Sequence, residues 1–498
     1  MLFHSLEFLI FFPIVVFVYF ILPKKIKTIW LLAASYYFYM SGNVNHTILI
    51  AFSTIVTWIS GLLIGRCKRA GKGAKCIVFV SLFLNLGILV FFKYSDFILQ
   101  NLNYICTKTG LPVIQMPFDV VLPVGISFYT FQALGYTVDV YRGEIEPETN
   151  LVNYALFVSF FPQLVAGPIE RSKNLLGQIR QIKTLHFRKL FDYERIAGGL
   201  ILMLWGFFQK LVIADRLCVF VDTVYQSWYF FGTVELVLAT AAFSIQIYCD
   251  FASYSTIAVG AAQVLGFHLM ENFRTPYFSK SIREFWRRWH ISLSTWFKDY
   301  LYIPLGGSRC GPVRRQFNLL ITFLVSGLWH GASWHYVFWG AVHGCYQVAG
   351  ALSEDVRKRF REKAGINTRS FSYRFGQVAV TYMLTLLGLV FFRSESLRGA
   401  FGCLKRIATK PDPWVLTDGT LYKLGLDYTE MTILAAALIF LLLVGLVREY
   451  RNETLDVFLA RQSTWFRWLV IVILFSFLFL FGMYGPDYDE SQFIYFQF

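Results

Sequence analysis

The sequence predicts an all-α, polytopic integral membrane protein, and three observations carry that prediction. Its 498 residues are 56% hydrophobic and only 15% charged, where a soluble chain carries about 25% charge. Aromatic residues make up 19%, with 52 Phe, a surplus suited to lipid contact and interfacial belts. Apolar runs of span length recur from end to end, separated by short basic clusters. A length that could hold two or three soluble domains therefore reads as one membrane-embedded domain.

A hydrocarbon core of ~30 Å takes about 20 apolar residues as a helix. Spans are expected at 6–22, 28–41, 47–65, 76–92, 196–214, 236–262, 375–392, 432–448 and 466–484. Segments 121–140, 151–168 and 316–350 are apolar but interrupted by Gly, Pro or polar residues, as re-entrant passages are. The total comes to about eleven or twelve crossings. They group as N-terminal spans (1–115), a central core (116–350) and C-terminal spans (351–498). Met1–Glu7 has no Lys or Arg, and Phe8–Leu22 ends in Pro23-Lys24-Lys25 without a small-x-small site. That run is expected to be an uncleaved first span rather than a signal peptide. Residues 393–430 are expected to form an external loop.

The net charge of +15 would ordinarily suggest nucleic acid. Here the bases sit between apolar runs, which instead marks cytoplasmic loops, so no nucleic-acid partner is expected. Lys24, Lys25 and Lys27 occupy the first loop, 42–46 carries no charge, and Arg66, Lys68, Arg69, Lys72 and Lys75 follow. The alternation places the N-terminus outside. The basic stretches 171–195, 281–315 and 353–374 fall inside, and the acidic tail after Gly485 (Asp487, Asp489, Glu490) falls outside. Since 281–315 and 353–374 lie on one side, the apolar stretch between them must enter and return. Its middle, Trp329-His330-Gly331-Ala332-Ser333-Trp334-His335, then lies at a turn at membrane depth.

An ionisable group inside a membrane segment is costly and points to function. His330 is the foremost candidate: imidazole is the usual general base near neutral pH, and Gly331 and Ala332 leave room beside it. The structural alternative is a packed histidine bonded to a neighbouring helix. His290 lies in Phe285–Phe297. A helical wheel groups Trp286, Trp289, His290, Leu293, Trp296 and Phe297 on one face, and Glu284, Arg287, Arg288, Thr295, Lys298 and Asp299 on the other. This reads as one amphipathic interfacial helix. Interfacial packing is the plainer account of His290, and lipid headgroups the plainer partners of Arg287 and Arg288, which are also candidates for a donor's phosphates. Asp250 is a further buried-charge candidate. His335 and His343 read as structural, and no carboxylate completes a metal motif with His330 and His335, so no metal site is expected. The eight Cys form no close CxxC pair, which predicts buried thiols rather than disulfides. The chain has no G-x-S-x-G elbow, P-loop or dinucleotide fingerprint, arguing against a serine hydrolase or an ATPase.

Several stretches together resemble the membrane-bound O-acyltransferase superfamily, and within it the alginate O-acetyltransferase type. They are Ala34–Tyr39, Leu122–Gln132, Phe160–Ile169 and, most specifically, the block from Glu271 to Gly307. That block holds Phe285-Trp286-Arg287-Arg288-Trp289-His290 and Asp299–Gly307; Asn318 and Gly327–Ala332 follow. The resemblance implies a ring of tilted transmembrane helices with re-entrant and interfacial segments around a thin centre. It implies His330 and His290 as catalytic residues; Trp286, Trp289, Arg287, Arg288, Asp299, Tyr302, Asn318, Trp329 and Asp250 stand beside them as candidates for binding donor or substrate. Acetyl-CoA would be the acyl donor, with no permanently bound cofactor. A polysaccharide or cell-wall polymer would be the acceptor, served directly or through an extracytoplasmic acetyltransferase- or esterase-like partner at a bacterial cell membrane. The rivals are D-alanyl transfer to teichoic acid, a transporter or flippase, and a non-catalytic scaffold.

Overall fold

The computed structural model describes residues 1–115, 121–165, 167–182 and 191–484. Every regular element among them is helical, as expected where lipid offers no partner to an open backbone. They fall into two compact units, Met1–Met203 with Tyr254–Met270, and Leu204–Ser253 with Glu271–Phe498.

The first unit opens with α1 (Leu6–Ile21), whose first turn is capped by Ser5 Oγ accepting the Phe8 N–H. There follow α2 (Lys24–Met40), α3 (Thr47–Arg69), α4 (Lys75–Thr109), α5 (Ile126–Arg142), α6 (Leu151–Ser159), α7 (Phe161–Leu164), α8 (Ser172–Gln181) and α9 (Tyr193–Phe207). The expected interruption in 151–168 falls at Phe160, where the backbone leaves the helix and α7 resumes with Pro162 in its first turn. The groups this break strands are recovered by side chains. The Gln132 and Gln163 amides both donate to Phe157 O, and Ser35 Oγ accepts the Phe161 N–H at 3.1 Å.

In the second unit, α9 continues through a π-helical turn (Phe208–Ala214) into α10 (Asp215–Gln226). Then come α11 (Thr233–Leu265), α12 (Ile282–Arg288), α13 (Ile291–Phe297), α14 (Pro312–His330), α15 (Trp334–Leu352), α16 (Glu354–Lys363), α17 (Phe371–Arg393), α18 (Leu397–Thr409), α19 (Tyr428–Arg451), α20 (Leu455–Ala460) and α21 (Thr464–Phe481). Among the described residues, seven helical stretches are long and apolar enough to cross a membrane: α3, α4, α9 with α10, α11, α17, α19 and α21. The shorter α1 is also apolar. Crossings 76–92 and 236–262 prove to be parts of longer helices of 35 and 33 residues.

The enter-and-return expected of 316–350 is the hairpin α14–α15, joined by Gly331–Ser333. Its two backbones touch. A Cβ on Gly327 would meet Tyr336 O at 2.3 Å, and one on Gly340 would meet Phe323 O at 2.3 Å. Small residues allow this approach where the hydrophobic effect cannot press helices together.

Two expectations are corrected. Phe285–Phe297 is not one amphipathic helix: α12 ends at Arg288, α13 begins at Ile291, and His290 between them has φ 43°, ψ 55°. Residues 393–430 are not an open loop, since Ser396 caps α18 through Gly399 N–H and two short 3-10 turns follow. The acidic tail beyond Tyr484 and the basic residues 183–190 lie outside the described residues.

Candidate active site

The α12–α13 break is what turns His290 inward. A left-handed conformation is uncommon for a residue with a Cβ and persists only where its surroundings enforce it. Here the segment 272–274 enforces it. Ile291 N–H donates to Asn272 O and Arg274 N–H to Arg288 O, both at 2.9 Å, so the two stretches clasp on either side of the kink. The side chain of Asn272 completes the hold. Its Oδ1 accepts Ser292 N–H at 3.2 Å and Ser292 Oγ–H at 2.9 Å, and lies 3.1 Å from His290 Nδ1.

Those contacts assign the tautomer of His290. A backbone N–H can only donate, so the Asn272 atom it meets is the amide oxygen, and an amide oxygen can only accept. The proton of the neutral ring is therefore on Nδ1, and Nε2 carries the lone pair. Phe251 meets the ring edge-on at 4.6 Å between centroids, and His290 is fully buried.

His330 is the last residue of α14 and is 3% exposed. Its ring lies 6.4 Å from that of His290, centroid to centroid. Trp329 and Trp339 lie at 5.1 Å and Phe392 at 5.5 Å, all edge-on to it. Trp329 also reaches His290, at 5.9 Å. Two imidazoles thus meet inside an aromatic box, closed by side chains on every side that the ring contacts define.

The other candidates divide. Trp289 packs on Phe273 and Phe285, bracing the kink. Trp286 donates its N–H to His343 Nδ1 at 3.3 Å and contacts Trp339, so His343 is a buried structural acceptor. His335 likewise bonds Phe391 O at the start of α15. Arg288 is committed to carboxylates, with Glu449 at 2.5 and 3.0 Å and Glu284 at 2.6 Å. Arg287 is exposed. Asn318 donates to Leu305 O and Gly307 O, bracing the turn at Gly306–Gly307, where both glycines have positive φ. Asp299 and Tyr302 sit half-buried in the π-helical turn leading to it. Asp250 does not join the imidazoles. It pairs with Lys210 Nζ at 2.7 Å, which also meets Asp215 at 2.7 Å, and all three are buried. Asn272, Ser292 and Trp339 are the site neighbours that sequence reasoning did not single out. All eight cysteines are free thiols.

Comparisons with known proteins agree with this architecture. Residues 145–387 match the profile of the membrane-bound O-acyltransferase family. A Pseudomonas syringae pv. tomato protein named probable alginate O-acetylase is 36% identical over 92% of this chain and 84% of its own length. The peptidoglycan O-acetyltransferase of Helicobacter pylori is 33% identical over 78% of this chain and 76% of its own. The Bacillus subtilis teichoic acid D-alanyltransferase is more distant, 24% identical over 49% of the chain. With its apolar helices and its likeness to these proteins over most of its length, the chain belongs to the membrane-bound O-acyltransferase family.

Proposed function

We propose that this multi-pass membrane enzyme moves an acetyl group from cytoplasmic acetyl-CoA to a hydroxyl of an extracytoplasmic polysaccharide or cell-wall polymer, directly or through a partner protein outside the cell membrane. The observation that carries the reading is the facing pair of buried imidazoles at the tip of the α14–α15 hairpin. Likeness to alginate and peptidoglycan O-acetyltransferases supports acetyl as the group and a polymer as the acceptor, over D-alanyl transfer.

In this reading His330 removes the proton from the attacking hydroxyl. The new C–O bond forms at the thioester carbonyl, the C–S bond breaks, and the proton passes from His330 to the departing thiolate. His290, its Nδ1 proton given to Asn272, is held rigidly beside His330 and helps to orient the reactants there. Both imidazoles are buried, so reactants reach them by displacing side chains of the aromatic box. This exclusion of water also guards a thioester against hydrolysis.

The test uses membranes of the producing cell supplied with radiolabelled acetyl-CoA, followed by recovery of labelled polymer. His330→Ala is expected to lower transfer by about 10²–10⁴-fold. A His330→Ala protein that accumulates normally and transfers at the wild-type rate overturns the proposal.

A further inference from the structure

Acyl transfer builds negative charge on the carbonyl oxygen, and a donor aimed at that oxygen is usually the largest single contribution to rate. Neither imidazole supplies one in the proposed reaction: His330 enters as the base, and the Nδ1 proton of His290 is spent on Asn272. Trp286 gives its N–H to His343. Trp339 differs. Its indole is 4% exposed, and among the described residues its Nε1–H meets no acceptor. Its ring stands edge-on to His330, 5.1 Å between centroids at 89°. A buried donor left unmade costs about 1–3 kcal/mol, and such a cost is rarely kept without use.

We infer that Trp339 is a catalytic residue whose indole N–H hydrogen-bonds the carbonyl oxygen of the acyl group beside His330 and stabilises the oxyanion formed on attack. This rests on the proposed function. The hydroxyl oxygen adds to the carbonyl carbon, the carbonyl π pair moves to the oxygen facing Trp339, and its return expels the thiolate, which takes the proton held by His330. No other reactant is needed.

Trp339→Phe keeps an aromatic edge against His330 and removes the N–H. In the membrane assay with radiolabelled acetyl-CoA, kcat is expected to fall about 10²–10³-fold. KM for acetyl-CoA should change by no more than about threefold, as for an interaction made chiefly in the transition state. No hydrogen bond is lost, so any fall in thermal stability comes from the smaller ring alone and is expected to stay within about 1–3 kcal/mol. Should the Phe variant fail to accumulate, genetically encoded β-(3-benzothienyl)alanine at position 339 repeats the test with the bicycle intact and sulfur in place of N–H. Wild-type kcat in either variant, measured where His330→Ala is inactive, overturns the assignment and leaves the proposed function standing; it would mean that the N–H merely rests on a ring face. An active His330→Ala overturns both.

Discussion

Two polar clusters lie buried in the second unit, and they are built in opposite ways. Lys210, Asp215 and Asp250 are charged groups that neutralise one another at 2.7 Å. His290, Asn272 and Ser292 are neutral groups joined by directed hydrogen bonds. The first arrangement saturates its members: a buried ammonium held by two carboxylates is an anchor, tying the π-helical turn to α11. The second spends one nitrogen of an imidazole to fix what the other presents. Burial alone therefore does not mark a reactive group. The kind of partner it has been given does. The clusters remain linked, because Asp250 is followed on α11 by Phe251, whose ring abuts His290.

Breaking the anchor should have the largest effect. Lys210→Met leaves two carboxylates buried without their cation, a loss of about 3–5 kcal/mol. It is expected to appear as loss of folded protein when thermal unfolding is followed by fluorescence-detected size exclusion. Wild-type stability would mean that the carboxylates have another counter-charge and the anchor reading is wrong. Next comes Asn272→Leu, which frees His290 to take either tautomer. Acetyl transfer should fall about 10–100-fold, as when the partner orienting a functional imidazole is removed. Asn272→Asp, which still accepts, should retain more activity than Leu; the reverse order would remove the argument for the tautomer. The smallest effect belongs to Ser292→Ala. It removes one hydroxyl donor, about 1 kcal/mol, yet keeps the backbone N–H that fixes the amide, so turnover should stay within about threefold of wild type.

Helical periodicity and charge bookkeeping made much of this legible. Seven of the nine expected spans, the interruption in 151–168 and the hairpin turn at His330 all follow from apolar run lengths and from which loops hold Lys and Arg. The break at His290 does not. Phe285–Phe297 contains no Gly or Pro, and its apolar face is continuous on a helical wheel, so every local cue favours one helix. What interrupts it is Asn272, 18 residues away, and a hydrogen bond across such a distance leaves no periodic trace. Asp250 was visible as a buried charge but was grouped with the substrate-binding candidates. The missing cue was Lys210, the lone charged residue of the apolar run 196–214, and intramembrane charges seek one another. Trp339 gave no sign at all, since one indole among thirteen is distinguished only by what its nitrogen meets.

The glycine seam of the α14–α15 hairpin has a mechanical consequence. Where main chain lies against main chain, as at Gly327 and Gly340, no pliable side chain is left to absorb a scissoring motion, and the two helices behave as one stiff strut carrying His330 at its tip. Access to that tip must then come from rotation of the aromatic rings around it, Phe392 and Trp329 first among them. The strut itself stays still, so the His330 ring keeps its position while the rings around it move.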